Sequence, residues 1–169
     1  EILSNGLCSL KQGENRATMA VRMIFDKTGA KISHKFTRGL MRSHAKLSYE
    51  QAQAAIDGQQ DDVTGPIMDT ILYPLWNAYA CMLKGRERRA PLAIESLERR
   101  VKMSPDGGIE AILPRKSLEA HRLIEEMMVQ ANVCAAETLE KAKIPLIYRV
   151  HETPSQEKIF NLSDFLHTS

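Results

Sequence analysis

The chain has 169 residues, 43% of them apolar and 26% charged, which excludes a disordered segment and suits one domain with a sizeable core. With 23 basic residues against 21 acidic ones the net charge is only +2, so charge alone does not mark a nucleic-acid binder and any such affinity must come from local placement. Cys8, Cys81 and Cys134 are far apart and form no CxxC pair; they read as reduced thiols and exclude a disulfide scaffold. No apolar run approaches the roughly 20 residues of a membrane span, and no signal peptide is visible. The chain opens on Glu1 without an initiating methionine, which reads as an N-terminus made by processing or cloning.

In chain order, Ala17 to Phe25 alternates as a strand does, Asp26 to Gly29 is a turn, and Lys31 to Phe36 returns as an antiparallel partner. Ser48 followed by Gln51 has capping-box spacing, predicting a short helix from Tyr49 to Ile56 that stops at Gly58. Asp61 to Gly65 is a polar loop. Pro66 can open a longer helix carrying Ile67, Ile71, Leu75, Ala78 and Met82 towards Arg89, and Pro74 should kink or split it. From Leu92 to Leu113 the residues read as extended segments about a turn at Ser104 to Gly108. Ser117 is placed to cap a long helix ending near Lys143, before Pro145; Leu146 to Val150 is a buried-strand candidate, and a last helix follows Pro154 with Ser155 near its cap. The fold class is therefore α/β, of mixed α+β character, with a mixed sheet and packed helices.

The long helix has two stripes. Leu118, His121, Glu125, Met128 and Asn132 lie along one face at spacings of three and four. That face sets hydrogen-bonding groups where a core helix carries carbon. Ile124, Met127, Ala131, Cys134 and Ala135 form the neighbouring stripe, the one suited to complete burial.

Four blocks resemble the ribonuclease II and ribonuclease R family: Ile2 to Leu10 (ILSNGLCSL), Arg42 to Tyr49 (RSHAKLSY), His121 to Glu126 (HRLIEE) with Ala131-Asn132 after it, and Tyr148 to Lys158 (YRVHETPSQEK). Their order covers nearly the whole chain. The resemblance implies part of an RNB catalytic domain over residues 1–169, from a processive 3′→5′ exoribonuclease that hydrolyses single-stranded RNA to nucleoside 5′-monophosphates. It implies a magnesium cofactor held by aspartates expected upstream of Ile2, an arginine motif expected downstream of Ser169, and a cytoplasmic enzyme whose partner is single-stranded RNA, not DNA or a membrane. No metal ligand is assigned within the chain, and the segment alone is expected to be inactive. The other class of reading is a catalytically inactive RNA-binding or protein-interaction module of the same fold. Oligomeric state stays open, since a segment lacking neighbouring strands leaves sheet edges exposed.

Residue by residue, Glu125 matches the family glutamate that contacts ribose hydroxyls near the RNA 3′ end, a contact DNA lacks for want of a 2′-OH. By helical position alone it reads as a solvated surface residue. Glu126, about 100° round the helix, cannot share that face and reads as structural. Tyr49 matches a tyrosine contacting the terminal nucleotides, where an aromatic ring stacks on any base; the plainer reading is packing at the start of its helix. Ile94 stands where relatives often have a base-clamping phenylalanine, and isoleucine has no π-face. Asn5, in the first block, is a channel-lining candidate. Arg86, Arg88 and Arg89 are the densest basic cluster and suit phosphate, although charge runs are usually solvated and Glu87 dilutes this one. His151-Glu152 lacks the second histidine of HExxH and is read as a structural turn.

Overall fold

The computed structural model describes residues 2–89, 99–114, 117–150 and 152–168. It divides into two compact units, Glu1–Ala135 and Ala136–Ser169. The expected mixture of strands and helices is found, with the described strands arranged as two separate antiparallel ribbons.

In the first unit a π-helical turn, Ile2–Leu7, precedes strand β1 (Asn15–Phe25), which pairs antiparallel with β2 (Lys31–Arg42) in a register running from Asn15 opposite Arg42 to Phe25 opposite Lys31. β2 runs six residues past the predicted Phe36, because β1 keeps a partner for it as far as Asn15. Asp26 closes the hairpin: its Oδ1 accepts from the backbone N–H of Thr28 at 2.8 Å and of Ala30 at 2.9 Å. Gly29 then takes φ of +79°, a conformation that suits glycine.

Helix α1 (Tyr49–Ile56) begins and ends as predicted. Ser48 Oγ accepts from Gln51 N–H at 3.1 Å. At the other end Gly58, at φ +95°, and Gln59 donate back to Ala55 O and Ala54 O, closing a Schellman motif. The Asp61 loop is a compact knot in which Oδ1 accepts from Val63 N, Thr64 N and Thr64 Oγ1, and Oδ2 from Gln51 Nε2. These bonds, first the backbone N–H of Thr64 and next the Gln51 side chain, lower the Asp61 carboxyl from 3.8 to about 2.

Pro74 does split the next helix. A 3-10 turn (Gly65–Ile67) and a π turn (Met68–Leu72) lead into α2 (Tyr73–Arg88), with the proline in the first turn, where its missing N–H costs nothing. Strands β3 (Arg99–Met103) and β4 (Ile109–Pro114) form the second ribbon about the predicted turn; its expected start at 92–98 lies outside the described residues.

Helix α3 (Glu119–Lys141) opens one residue later than a Ser117 cap would place it. Leu118 O accepts from His121 N and Arg122 N, while Leu118 N–H donates to His121 Nδ1 at 3.2 Å. The imidazole thus does what the third-position glutamate does in a capping box. The helix ends two residues before Lys143, which takes φ of 55° and, with Ile144, bonds back to Glu140 O and Leu139 O. This is again a Schellman closure, with Pro145 barring continuation.

The core lies in two adjoining clusters. Ala55, Ile67, Met68 and Leu72 pack with Leu47 and Trp76; Tyr79, Met82 and Leu123 pack with Phe25, Leu75, Trp76 and Met127. Trp76 belongs to both, and its Nε1–H donates to Glu119 at 3.1 Å.

The buried stripe of α3 differs from the predicted one. Ala120, Leu123, Glu126, Gln130 and Cys134 are buried, whereas Ile124 is exposed; only Cys134 was on the predicted stripe. The reason is tertiary: Arg86 of α2 and Arg89 at its C-cap reach Glu126, so a carboxylate can occupy a core-facing position.

In the second unit, α4 (Gln156–Thr168) follows Ser155 as predicted, Ser155 Oγ accepting from Lys158 N–H at 3.4 Å. The Leu146 to Val150 strand is corrected. This stretch has no strand structure, no pairing is found for it among the described residues, and Ile147 is 98% exposed. An apolar run alone does not make a strand without a ladder partner.

Candidate RNA interface

Tyr49 and His121 come together, although 72 positions apart in the chain. Their rings stack with centroids 4.1 Å apart and an interplanar angle of 18°. Two backbone devices set this geometry: the Ser48 cap puts Tyr49 at the first residue of α1, and the Leu118 N–H anchors His121 at the start of α3. Ala120 N–H donates to Gln53 Oε1 at 3.0 Å and ties the two helix ends together. Because His121 Nδ1 accepts a hydrogen bond, a neutral ring carries its proton on Nε2. Nε2 is buried and has no hydrogen-bond partner among the described residues. Tyr49 remains 40% exposed, so its ring is supported by the imidazole yet reachable.

Beside the stack is a cavity of about 370 Å³, lined by His44, Leu47, Tyr49, Ile71, Trp76 and Ile124 among others. It opens where α1, α2 and the first turns of α3 converge.

Glu125 lies four residues after His121 and so on the same side of α3. Its neighbour Glu126 points elsewhere. The Glu126 side chain is 1% exposed and accepts from Arg89 Nη2 at 2.5 Å, Arg86 Nη1 at 3.4 Å and Gln130 Nε2 at 2.9 Å. Glu125, at 57% exposure, receives Arg86 Nη1 at 3.2 Å. Burial opposes the Arg86 charge, but its bonds to Glu125 and then Glu126 outweigh this and raise its pKa above the ordinary guanidinium value. Arg88 donates to Thr28 O in the β1–β2 turn. All three members of the basic cluster therefore have partners within the fold. The sequence reading missed the links from Arg86 and Arg89 to Glu126; the detectable signal was the RERR run at 86–89 with the Glu125-Glu126 pair downstream.

Asn5 is exposed in the Ile2–Leu7 turn and takes no part in these contacts. Ile94 and His151 lie outside the described residues. Among the described residues, no group of three or more His, Cys, Asp or Glu side chains is placed to hold a metal ion, and no helix is long and apolar enough to cross a membrane.

A ribbon-and-helix domain with an aromatic stack and a held carboxylate beside an open cavity is the class of fold described. The chain matches the RNB domain over residues 1–169 and belongs to that family. It is similar to ribonuclease R of Escherichia coli K12, 37% identical over 98% of this chain and 20% of that protein, so it spans about a fifth of the relative's length. Ribonuclease R of Mycoplasma genitalium in its apo form shares the fold with a TM-score of 0.89 at 24% identity, over 99% of this chain and 26% of its own. The same enzyme in complex with ribose-methylated single-stranded RNA also gives 0.89 at 24% identity, over 98% and 26%.

Proposed function

We propose that this chain is part of the RNB catalytic domain of a processive cytoplasmic 3′→5′ exoribonuclease that hydrolyses single-stranded RNA to nucleoside 5′-monophosphates with magnesium. The observation that carries this reading is the Tyr49 ring, still exposed and stacked on His121, which lies one helical turn before Glu125 in α3. A supported, reachable aromatic face suits a terminal base, and such stacking is worth about 1–3 kcal/mol without regard to sequence. The Glu125 carboxylate is an acceptor for a ribose 2′-hydroxyl, which would separate RNA from DNA. A relative of the same fold has been solved with single-stranded RNA.

Among the described residues no group of three or more His, Cys, Asp or Glu side chains is placed to hold a metal ion, and this reading takes the magnesium ligands from aspartates upstream of Ile2. The described residues' share of the work in this reading is binding and orientation of the 3′ end, and these 169 residues alone should have negligible catalysis. In the same reading, Asn5 lines the channel, while Ile94 gives an apolar contact where relatives clamp a base.

The test is digestion of 5′-labelled single-stranded RNA by the full-length protein with magnesium, beside its Glu125→Ala variant. Stepwise shortening from the 3′ end by the parent, with weaker activity or poorer discrimination against DNA in the variant, is the expected result. Unchanged rate and sugar selectivity in the variant would return Glu125 to an ordinary surface role. No shortening by the parent would favour the inactive binding module.

A further inference from the structure

We propose that Arg86 is a positioning residue for sugar recognition: anchored on buried Glu126, it holds the Glu125 carboxylate in place and neutralises it against the approaching polyanion. The inference rests on the reading of Glu125 as the ribose contact.

Arg86 leaves the last turn of α2 and meets two consecutive glutamates of α3, which point about 100° apart around the helix. The two carboxylates have opposite surroundings. Glu126 is buried and also held by Arg89 and Gln130, so it is a fixed post. Glu125 is mostly exposed, and a glutamate there would otherwise sample several rotamers. One guanidinium nitrogen, 3.4 Å from the post and 3.2 Å from Glu125 Oε1, transfers the rigidity of the first carboxylate to the second. A side chain ordered before binding loses less entropy when the ligand arrives.

The charges point the same way. An exposed lone carboxylate beside an RNA strand repels its phosphates, and this repulsion falls only as the inverse of distance at short range. Two arginines against two glutamates make this cluster neutral. Glu125 can then offer an acceptor oxygen to a hydroxyl without presenting net negative charge to the backbone. A lysine at position 86 would keep the charge but set it on a shorter, flexible stem without the rigid guanidinium plane that fixes Nη1 between the two carboxylates.

The experiment uses the full-length protein and two substrates, single-stranded RNA and the same strand with 2′-deoxy sugars at its last nucleotides. Arg86→Ala is expected to raise KM and reduce the preference for ribose about tenfold or more, the scale of one lost charge-assisted hydrogen bond. Arg86→Lys should recover much of the KM and little of the preference. Arg86→Ala placed on Glu125→Ala should reduce the preference no further than Glu125→Ala does alone. If Glu125→Ala loses the preference while Arg86→Ala keeps it, the positioning role is overturned and the Glu125 reading stands. If Glu125→Ala keeps the preference, both fall. Should Arg86→Ala fail to fold by circular dichroism, Arg86→Lys decides: retained preference overturns the role, and lost preference with near-normal KM supports it.

Discussion

Helix α3 begins in one unit of the molecule and ends in the other, and the two parts behave differently. Before Ala135 it buries Ala120, Leu123, Glu126, Gln130 and Cys134; from Ala136 onwards no described residue is buried. Yet α4 in the second unit also carries large apolar residues, Ile159, Phe160, Leu162, Phe165 and Leu166. For the buried face of α3 the partner is described. In the first unit α2 and its C-cap offer Tyr79 and Met82 to Leu123, and Arg86 and Arg89 to Glu126. An amphipathic pattern thus specifies that a face exists, whereas burial needs a second surface of matching shape and charge.

The sharpest way to break the first unit is at the contact of the β1–β2 turn with α2. A Cβ on Gly85 would lie 2.4 Å from Gly29 O, and one on Gly29 would lie 2.3 Å from Cys81 O. Both obstacles are backbone and cannot rotate away. Alanine in a helix interior gains about 1 kcal/mol over glycine, but overpacking costs about 1–3 kcal/mol and sometimes more. Gly85→Ala is expected to lower stability by about 2 kcal/mol in urea denaturation, with Arg88 losing its hold on Thr28. A neutral or stabilising result would mean that the turn does not rest on α2.

A smaller effect is expected at the α1–α2 loop. The hydrogen bonds from Thr64 N–H and then Gln51 hold the Asp61 carboxyl at about 2 in the folded chain, below its ordinary 3.8. A depressed carboxylate contributes stability that is present above its unfolded value and is lost as pH falls through the folded one. The melting-temperature gap between the parent and Asp61→Ala should therefore hold at neutral pH and narrow as pH drops from about 4 towards 2. A gap independent of pH would show that the charge of Asp61 contributes nothing to the loop.

The smallest effect belongs to the second unit. Phe160 is 68% exposed, so Phe160→Ser should change stability by no more than about 0.5 kcal/mol. A loss of about 2 kcal/mol or more, the scale of a buried aromatic, would mean that the α4 face is covered in the protein and would erase the contrast between the units.

Much of this chain was legible from local rules. The hairpin about Asp26 and Gly29, the limits of α1, the split at Pro74 and the start of α4 depend on hydrogen bonds within a few residues, so each is written in a short stretch of sequence. The resemblance carried by RSHAKLSY and HRLIEE also singled out Tyr49 and Glu125, which are placed near the two ends of the His121 turn. The separation of Glu125 from Glu126 followed from helix geometry alone.

Other features depended on residues far apart in the chain. Which face of α3 is buried, the stacking of Tyr49 on His121, the engagement of Arg86 and Arg89 by Glu126, and the unpaired state of Leu146 to Val150 were decided by the tertiary structure. In each case the energy comes from a partner 37 to 72 positions away, or from its absence among the described residues. Periodicity records how a segment is patterned. It holds no term for what that pattern meets across space, and a buried carboxylate is stable only where the opposite charge has been brought to it.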